Sequence, residues 1–287
     1  MARKFAPALM LGISLVLSWV GYSAGQSTQP AVVNAISSST GAPPAPERAS
    51  IVNISQLQDE RNLPVRGEIN EVYELSPNAL VEAIGIEGAV DVEVSDVNTA
   101  EVHLTRFART QRDYDCEKIN IEHTATHLLV EHRTIHAPQC HIINAHDRLK
   151  LIVPRSADLT FRGIEGPLTV GATDRMLRLE GIEGYVRLAS VVAAEMRGLE
   201  QGLTLTVPRL SAQGIRIEGV ENSVELKVAD DLNADLTFDS IEGGINTEVP
   251  GAGISDSDHR GSRLRLGTGG ASIRFAAIEG GITIRRA

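Results

Sequence analysis

The residues best suited to chemistry are gathered in one stretch. Six of the eight histidines, His123, His127, His132, His136, His141 and His146, lie within it, and the only two cysteines, Cys116 and Cys140, bracket most of them. Imidazole is the commonest protein ligand for zinc and copper. In extended strands His123 and His127 share a face, as do His132 and His136, so these four are the candidate ligands for Zn²⁺ or Cu²⁺ if two such strands lie side by side. Neither a compact Cys-x₂-Cys nor a His-Glu-x-x-His spacing accompanies them, so exposed or core-satisfied histidines are the competing reading, and no cofactor is expected. In an exported chain Cys116 and Cys140 are expected to form a disulfide, worth about 3 to 4 kcal/mol on the chain-entropy account. Nucleophile elbows and phosphate-binding glycine loops do not occur. The acidic residues Asp230, Asp231, Asp256 and Asp258 could be read as carboxylate pairs for glycoside cleavage, but such residues more commonly cap turns, and the chain is expected not to be an enzyme.

The elements that must position these residues are announced by a repeat. Ile-Glu-Gly occurs at positions 86–88, 164–166, 182–184, 217–219, 241–243 and 278–280, with a degenerate copy at Leu199-Glu200-Gln201-Gly202. The central copies recur every 17 to 18 residues, a period that signals stacked supersecondary units. Segments such as Gly184-Tyr185-Val186-Arg187-Leu188 and Leu177-Arg178-Leu179 alternate with period two, which means strand. A unit this short cannot bury its own apolar face and must stack on its neighbours. The expected fold is therefore all-β, a single-stranded β-solenoid of coils of about 18 residues, with an antiparallel β-sandwich as the alternative. In each copy Ile points to the core and Gly takes a corner, where positive φ is expected. Glu points outward, paired with Arg162, Arg178, Arg197 or Arg216 in a solvated ladder.

The ends add an address. Arg3 and Lys4 precede an apolar run from Phe5 to about Val20, followed by small residues to Gly25, the order of a secretory signal, with an uncleaved N-terminal anchor as the alternative. Residues 26–50 are rich in Ser, Thr, Ala and Pro and form a flexible linker. Residues 51–287 are the repeat domain, less regular at 106–148. No later stretch is apolar and long enough to span a membrane. The chain carries 27 Lys and Arg against 37 Asp and Glu, and loss of Arg3 and Lys4 with the signal makes it more acidic still. That opposes non-specific nucleic-acid binding, which depends on cations that neutralise phosphates. The C-terminal repeat strand at Ile284, followed by Arg285 and Arg286, is expected to leave an open edge guarded by charge.

Several segments together resemble the bacterial putative-adhesin family of β-strand-repeat proteins, also described as auto-transporter-adhesin-like head domains. They are Ala83-Ile84-Gly85-Ile86-Glu87-Gly88-Ala89-Val90-Asp91-Val92-Glu93-Val94, Leu149-Lys150-Leu151-Ile152-Val153-Pro154-Arg155, the glycine-punctuated coils, and the run from Ser272 to Ile284. The resemblance covers most of the mature chain. It implies an exported β-solenoid with no catalytic residue to carry over. This chain departs from the family in favouring Ile-Glu before the Gly, where Ser, Asn or Thr is common. The expected function is a non-enzymatic surface for adhesion or envelope interaction, in the periplasm or outside the cell, with a protein, polysaccharide or envelope component as partner. The alternatives are a metal-binding protein using the 116–146 stretch and a carbohydrate-active β-helix.

Overall fold

The computed structural model describes residues 63–135, 137–140, 144–257 and 261–287. The signal segment 1–25, the linker 26–50, His136, His141 and Asp258 lie outside them.

Residues 158–228 fold as the repeat dictates. The chain alternates between two sheets, placing β8 (Asp158–Ile164), β10 (Met176–Ile182), β12 (Ala193–Leu199) and β14 (Ile215–Val220) in one, and β9 (Leu168–Ala172), β11 (Val186–Ser190), β13 (Leu203–Val207) and β15 (Val224–Val228) in the other. Each strand pairs in parallel with its equivalents one repeat away. Alternation fills the space between the sheets with apolar columns. In one sheet Phe161, Leu179, Met196, Ile217, Phe275 and Phe238 lie in register and are buried. In the other the column is Leu168, Val186, Leu203, Val224 and Ile282. Both columns belong to one continuous core, and each such side chain contributes about 1.5–3 kcal/mol by leaving water.

Outside that interval the chain departs from a uniform solenoid. The strands form two large mixed sheets of ten and eleven strands, facing each other across the shared core in a sandwich-like arrangement. It is the sandwich alternative that fits, although its middle strands are parallel rather than antiparallel. The departures occur where the repeat lapses. β1 (Val65–Glu74), β4 (Thr99–Ala108) and β7 (Ala145–Pro154) are ten residues each and pair antiparallel. β7 then runs parallel to β3 (Gly88–Ser95), which leads into β9. In the other sheet the hairpin of β5 (Glu117–Thr124) and β6 (His127–Thr134) extends the edge beyond β2 (Leu80–Ile84) and β8. At the opposite end β18 (Ile254–Ser257) and β19 (Gly261–Leu266) pair antiparallel on β16 (Ala234–Ile241).

The final repeat is placed out of sequence order. β20 (Ala271–Ile278) lies between β14 and β16, and β21 (Ile282–Arg286) lies between β15 and β17 (Ile245–Thr247). The expected open edge at Ile284 is therefore absent: β21 is paired on both sides, and Arg286 donates to the Ala229 carbonyl at 2.6 Å.

The register also corrects the repeat. Ile217-Glu218-Gly219 is offset by three residues from the other copies, because Glu218 stands beside Arg197 while Val220 stands beside Leu199. The structural unit is a left-handed residue, an apolar residue and then Glu. Gly85, Gly163, Gly181, Gly198 and Gly219 hold the first position with φ of 60–71°, and Ser240 and Ala277 hold it at 57° and 53°. Positive φ thus falls on the residue before Ile, not on the Gly after Glu. That later Gly has a different reason: a Cβ on Gly184 would lie 2.2 Å from the Gly166 carbonyl carbon, so the coils stack only because no side chain intervenes.

Candidate functional site

Each of four consecutive strands places one ionisable residue where its alternation calls for a core residue. Arg106 follows Ala100, Val102 and Leu104 on β4; His132 follows Leu128 and Val130 on β6; Asp147 precedes Leu149 and Leu151 on β7; and Glu117 leads Ile119 and Ile121 on β5. All four are buried. Arg106 and Asp147 are direct partners across β4 and β7. They bind through Nε–Oδ1 at 2.8 Å and Nη2–Oδ2 at 2.9 Å, the two-pronged geometry that a guanidinium and a carboxylate favour. Tyr114 of the short helix α1 (Gln111–Asp115) covers the guanidinium, 6.0 Å from the ring centre. The tyrosine fits there because Gly67 has no side chain, since a Cβ on it would meet the ring.

His132 and Glu117 form the second half of the cluster. His132 Nδ1 lies 2.9 Å from the Gly85 carbonyl oxygen, which can only accept, so Nδ1 carries the proton and donates. In the neutral ring Nε2 is then a bare lone pair. Nε2 is 3.4 Å from Glu117 Oε2, close enough for strong electrostatics but without hydrogen-bond geometry. Neither Glu117 oxygen nor His132 Nε2 has a hydrogen-bond partner among the described residues. Arg106 Nε stands 3.8 Å from Glu117 Oε2. Glu87, at the turn between β2 and β3, approaches His132 Nδ1 to 3.6 Å and keeps 29% of its side chain exposed.

The electrostatics follow from this crowding. Burial, reinforced by the Glu117 charge, pushes the Glu87 carboxyl up to about 7. Burial works against a charged His132, yet contact with Glu117 and the charges of Asp147, Glu117 and Glu87 outweigh it and hold the imidazole above its usual value. The carboxyl of Glu165, next in the column, is also raised, by burial and then by Glu183.

The disulfide between Cys116 and Cys140 is formed, with the Cα atoms 5.6 Å apart. It ties the residue just before Glu117 to the segment that follows β6, and so fixes where that carboxylate sits. Among the described residues His123, His127 and His132 make separate contacts. His123 Nε2 contacts the Glu74 carbonyl at 2.9 Å, His127 Nε2 contacts Glu82 at 2.8 Å, and of these three His132 enters the buried cluster. His146 stacks against Phe107. Asp230 stands 3.3 Å from Arg286.

The repeat glutamates line a corner rather than an arginine ladder. Backbone N–H groups of Glu165, Glu183, Glu200 and Glu221 each donate to the carbonyl of the apolar residue one coil back. Those of Glu279 and Glu242 continue the column, which borders a groove of about 460 Å³. The arginines remain on the sheet face, because the left-handed glycine turns the chain between Arg162 and Glu165. They alternate with other acids: Arg162 with Glu82 at 2.6 Å, Arg178 with Glu195 at 3.5 Å, and Arg197 with Glu218 at 3.9 Å. Arg216 contacts Glu218 at 3.1 Å, as expected.

No family model matches the sequence, and no curated protein is similar to it in sequence. Among solved structures the chain is similar to a "putative cell adhesion protein" from Clostridium sporogenes, with 10% identity and a TM-score of 0.43 over 77% of this chain and 100% of that one. It is also similar to a "putative adhesin" from Parabacteroides merdae, with 10% identity and a TM-score of 0.27 over 77% of this chain and 96% of that one. Another "putative adhesin", from Parabacteroides distasonis, aligns at 11% identity with a TM-score of 0.23 over 76% of this chain and 97% of that one.

Proposed function

We propose that this chain is an exported, non-enzymatic β-scaffold whose charged sheet face binds a polar partner in the cell envelope or outside the cell. The supporting observation is the placement of its exposed charge. On the eleven-stranded sheet, Arg162, Glu180, Arg197 and Glu218 form one column in strand register. Arg178, Glu195 and Arg216 form a second column. Charges of opposite sign thus alternate across both directions of the face. Exposed pairs of this kind contribute only about 0–1 kcal/mol each to stability, so their regular spacing is available for recognition. Export is supported by the basic pair and apolar run near the N-terminus and by the Cys116–Cys140 bridge, which persists in oxidising compartments. Among the described residues no helix is long and apolar enough to cross a membrane.

The test is capture of envelope components, protein and polysaccharide, by the immobilised full chain. One component should be retained at low salt and released as ionic strength rises, because exposed charge is screened within about 8 Å at physiological salt. It should be lost when Arg162, Arg178 and Arg197 are replaced by Ser. Retention that ignores both salt and these substitutions would sink the sheet-face reading. Release of reducing ends from a polysaccharide panel would replace it with the enzymatic one.

A further inference from the structure

We propose that Glu87, Glu117 and His132 form a binding site for one divalent transition-metal ion of the zinc type. One donor atom from each lies within 4.8 Å of the others, with Glu87 approaching the imidazole from the Nδ1 side at 3.6 Å, so its carboxylate turns toward Nε2 to complete the site. The separation of 3.4 Å between Glu117 Oε2 and His132 Nε2 equals the donor spacing of about 3.4 Å that tetrahedral geometry with bonds of about 2.1 Å requires. The buried carboxylate is held with both oxygens lacking hydrogen-bond partners, approached only by His132 Nε2 at 3.4 Å and Arg106 Nε at 3.8 Å, an arrangement that is unfavourable unless something completes it. The Gly85 carbonyl fixes the imidazole with Nε2 toward Glu117. Backbone anchoring of the distal nitrogen is how protein sites orient a metal-bound histidine.

Charge selects the ligand. Arg106 and Asp147 neutralise one another through their paired bonds, so once an incoming ion displaces the protons of Glu87 and His132, two carboxylates and a neutral imidazole are left to balance a charge of +2. The donor set selects the metal: one nitrogen and two carboxylates suit Zn²⁺ and its neighbours, whereas Ca²⁺ takes six to eight oxygens. Thiolate ligation is not available, because both cysteines are bridged. The partly exposed Glu87 gives access from solvent. The bound ion would clip the β5–β6 hairpin to the first corner of the repeat, a structural role with water completing the coordination.

Full chain stripped with EDTA should bind one equivalent of ZnCl₂ by calorimetry at pH 7.5, with a rise in thermal midpoint. CoCl₂ should give visible d–d absorption. Glu117→Gln and the partly exposed Glu87→Gln should each weaken binding by more than the roughly 10- to 100-fold that loss of a mere outer-shell partner causes and lose that absorption, while His127→Gln should bind like the wild type. Three results would overturn the assignment: no saturable Zn²⁺ equivalent in the wild type, unchanged affinity in folded Glu87→Gln, or loss of binding in His127→Gln. Tighter binding of CaCl₂ than of ZnCl₂ would also overturn it.

Discussion

Arg106 and Asp147 face each other directly across β4 and β7, joined by two hydrogen bonds of 2.8 and 2.9 Å with both side chains almost wholly out of water. Removing one member leaves the other as an uncompensated buried charge. Arg106→Met is therefore expected to destabilise the fold by about 3–5 kcal/mol. The double variant Arg106→Met, Asp147→Leu should recover most of that loss. Urea denaturation of the two variants checks it, and a double variant as unstable as the single one would contradict it.

Ala277 occupies the left-handed position that glycine holds in five other copies of the repeat. A side chain there costs about 1–2 kcal/mol, and the extra unfolded-state freedom of glycine takes back about 0.5–1 kcal/mol. Ala277→Gly should thus stabilise the protein by up to about 1 kcal/mol, whereas Gly181→Ala should destabilise it by a similar amount. Both shifts are measurable as changes in denaturation midpoint.

Gly184→Ala tests the stacking role separately. Its Cβ would meet the Gly166 backbone at 2.2 Å, and a carbonyl cannot rotate away as a side chain can. The loss should exceed that of Gly181→Ala and appear as reduced soluble yield or a lower thermal midpoint.

The buried cluster makes metal-free stability depend on pH. Glu87 has a folded value of about 7 against an ordinary 4.5, so the folded state holds a proton that the unfolded chain has released. The resulting loss is absent below about 4.5, grows as pH rises and is complete above about 7. His132, raised from 6.5, acts with the same sign: its stabilisation is full below 6.5 and vanishes as pH climbs through its folded value. The groups that face the pair are Glu117, Asp147, Glu165 and Arg106. The urea midpoint in EDTA should therefore be lower at pH 8 than at pH 5, and Glu87→Gln should flatten the difference.

Reduction of Cys116–Cys140 should lower stability by about 3 to 4 kcal/mol, the loop-entropy value for a bridge across 24 positions. Because the bridge also fixes Glu117, Cys116→Ser should weaken Zn²⁺ binding more than the distant Gly181→Ala does. Calorimetry on both variants measures the difference.

Much of this was legible in the residues themselves. Alternation of Leu, Ile and Val with polar residues specified strands, the period of 17 to 18 residues specified stacking between residues 158 and 228, and the presence of just two cysteines left one possible intrachain bridge. Even the buried cluster left a trace, since Arg106, Glu117, His132 and Asp147 each occupy a position in phase with core residues of their own strand. Local pattern is enough for these features because a strand's two faces are set by its own backbone.

Pairing between distant strands is not set that way, and only the tertiary structure decided it. It inserted the strand ending at Arg286 between two earlier ones, and it shifted the true repeat from Ile217-Glu218-Gly219 to Gly219-Val220-Glu221. It also separated His123 and His127 from His132 and brought His132 to Glu117 and Glu87 instead. The reason is physical: register and strand order are settled by which columns of side chains fill the shared core, a property of all the strands together.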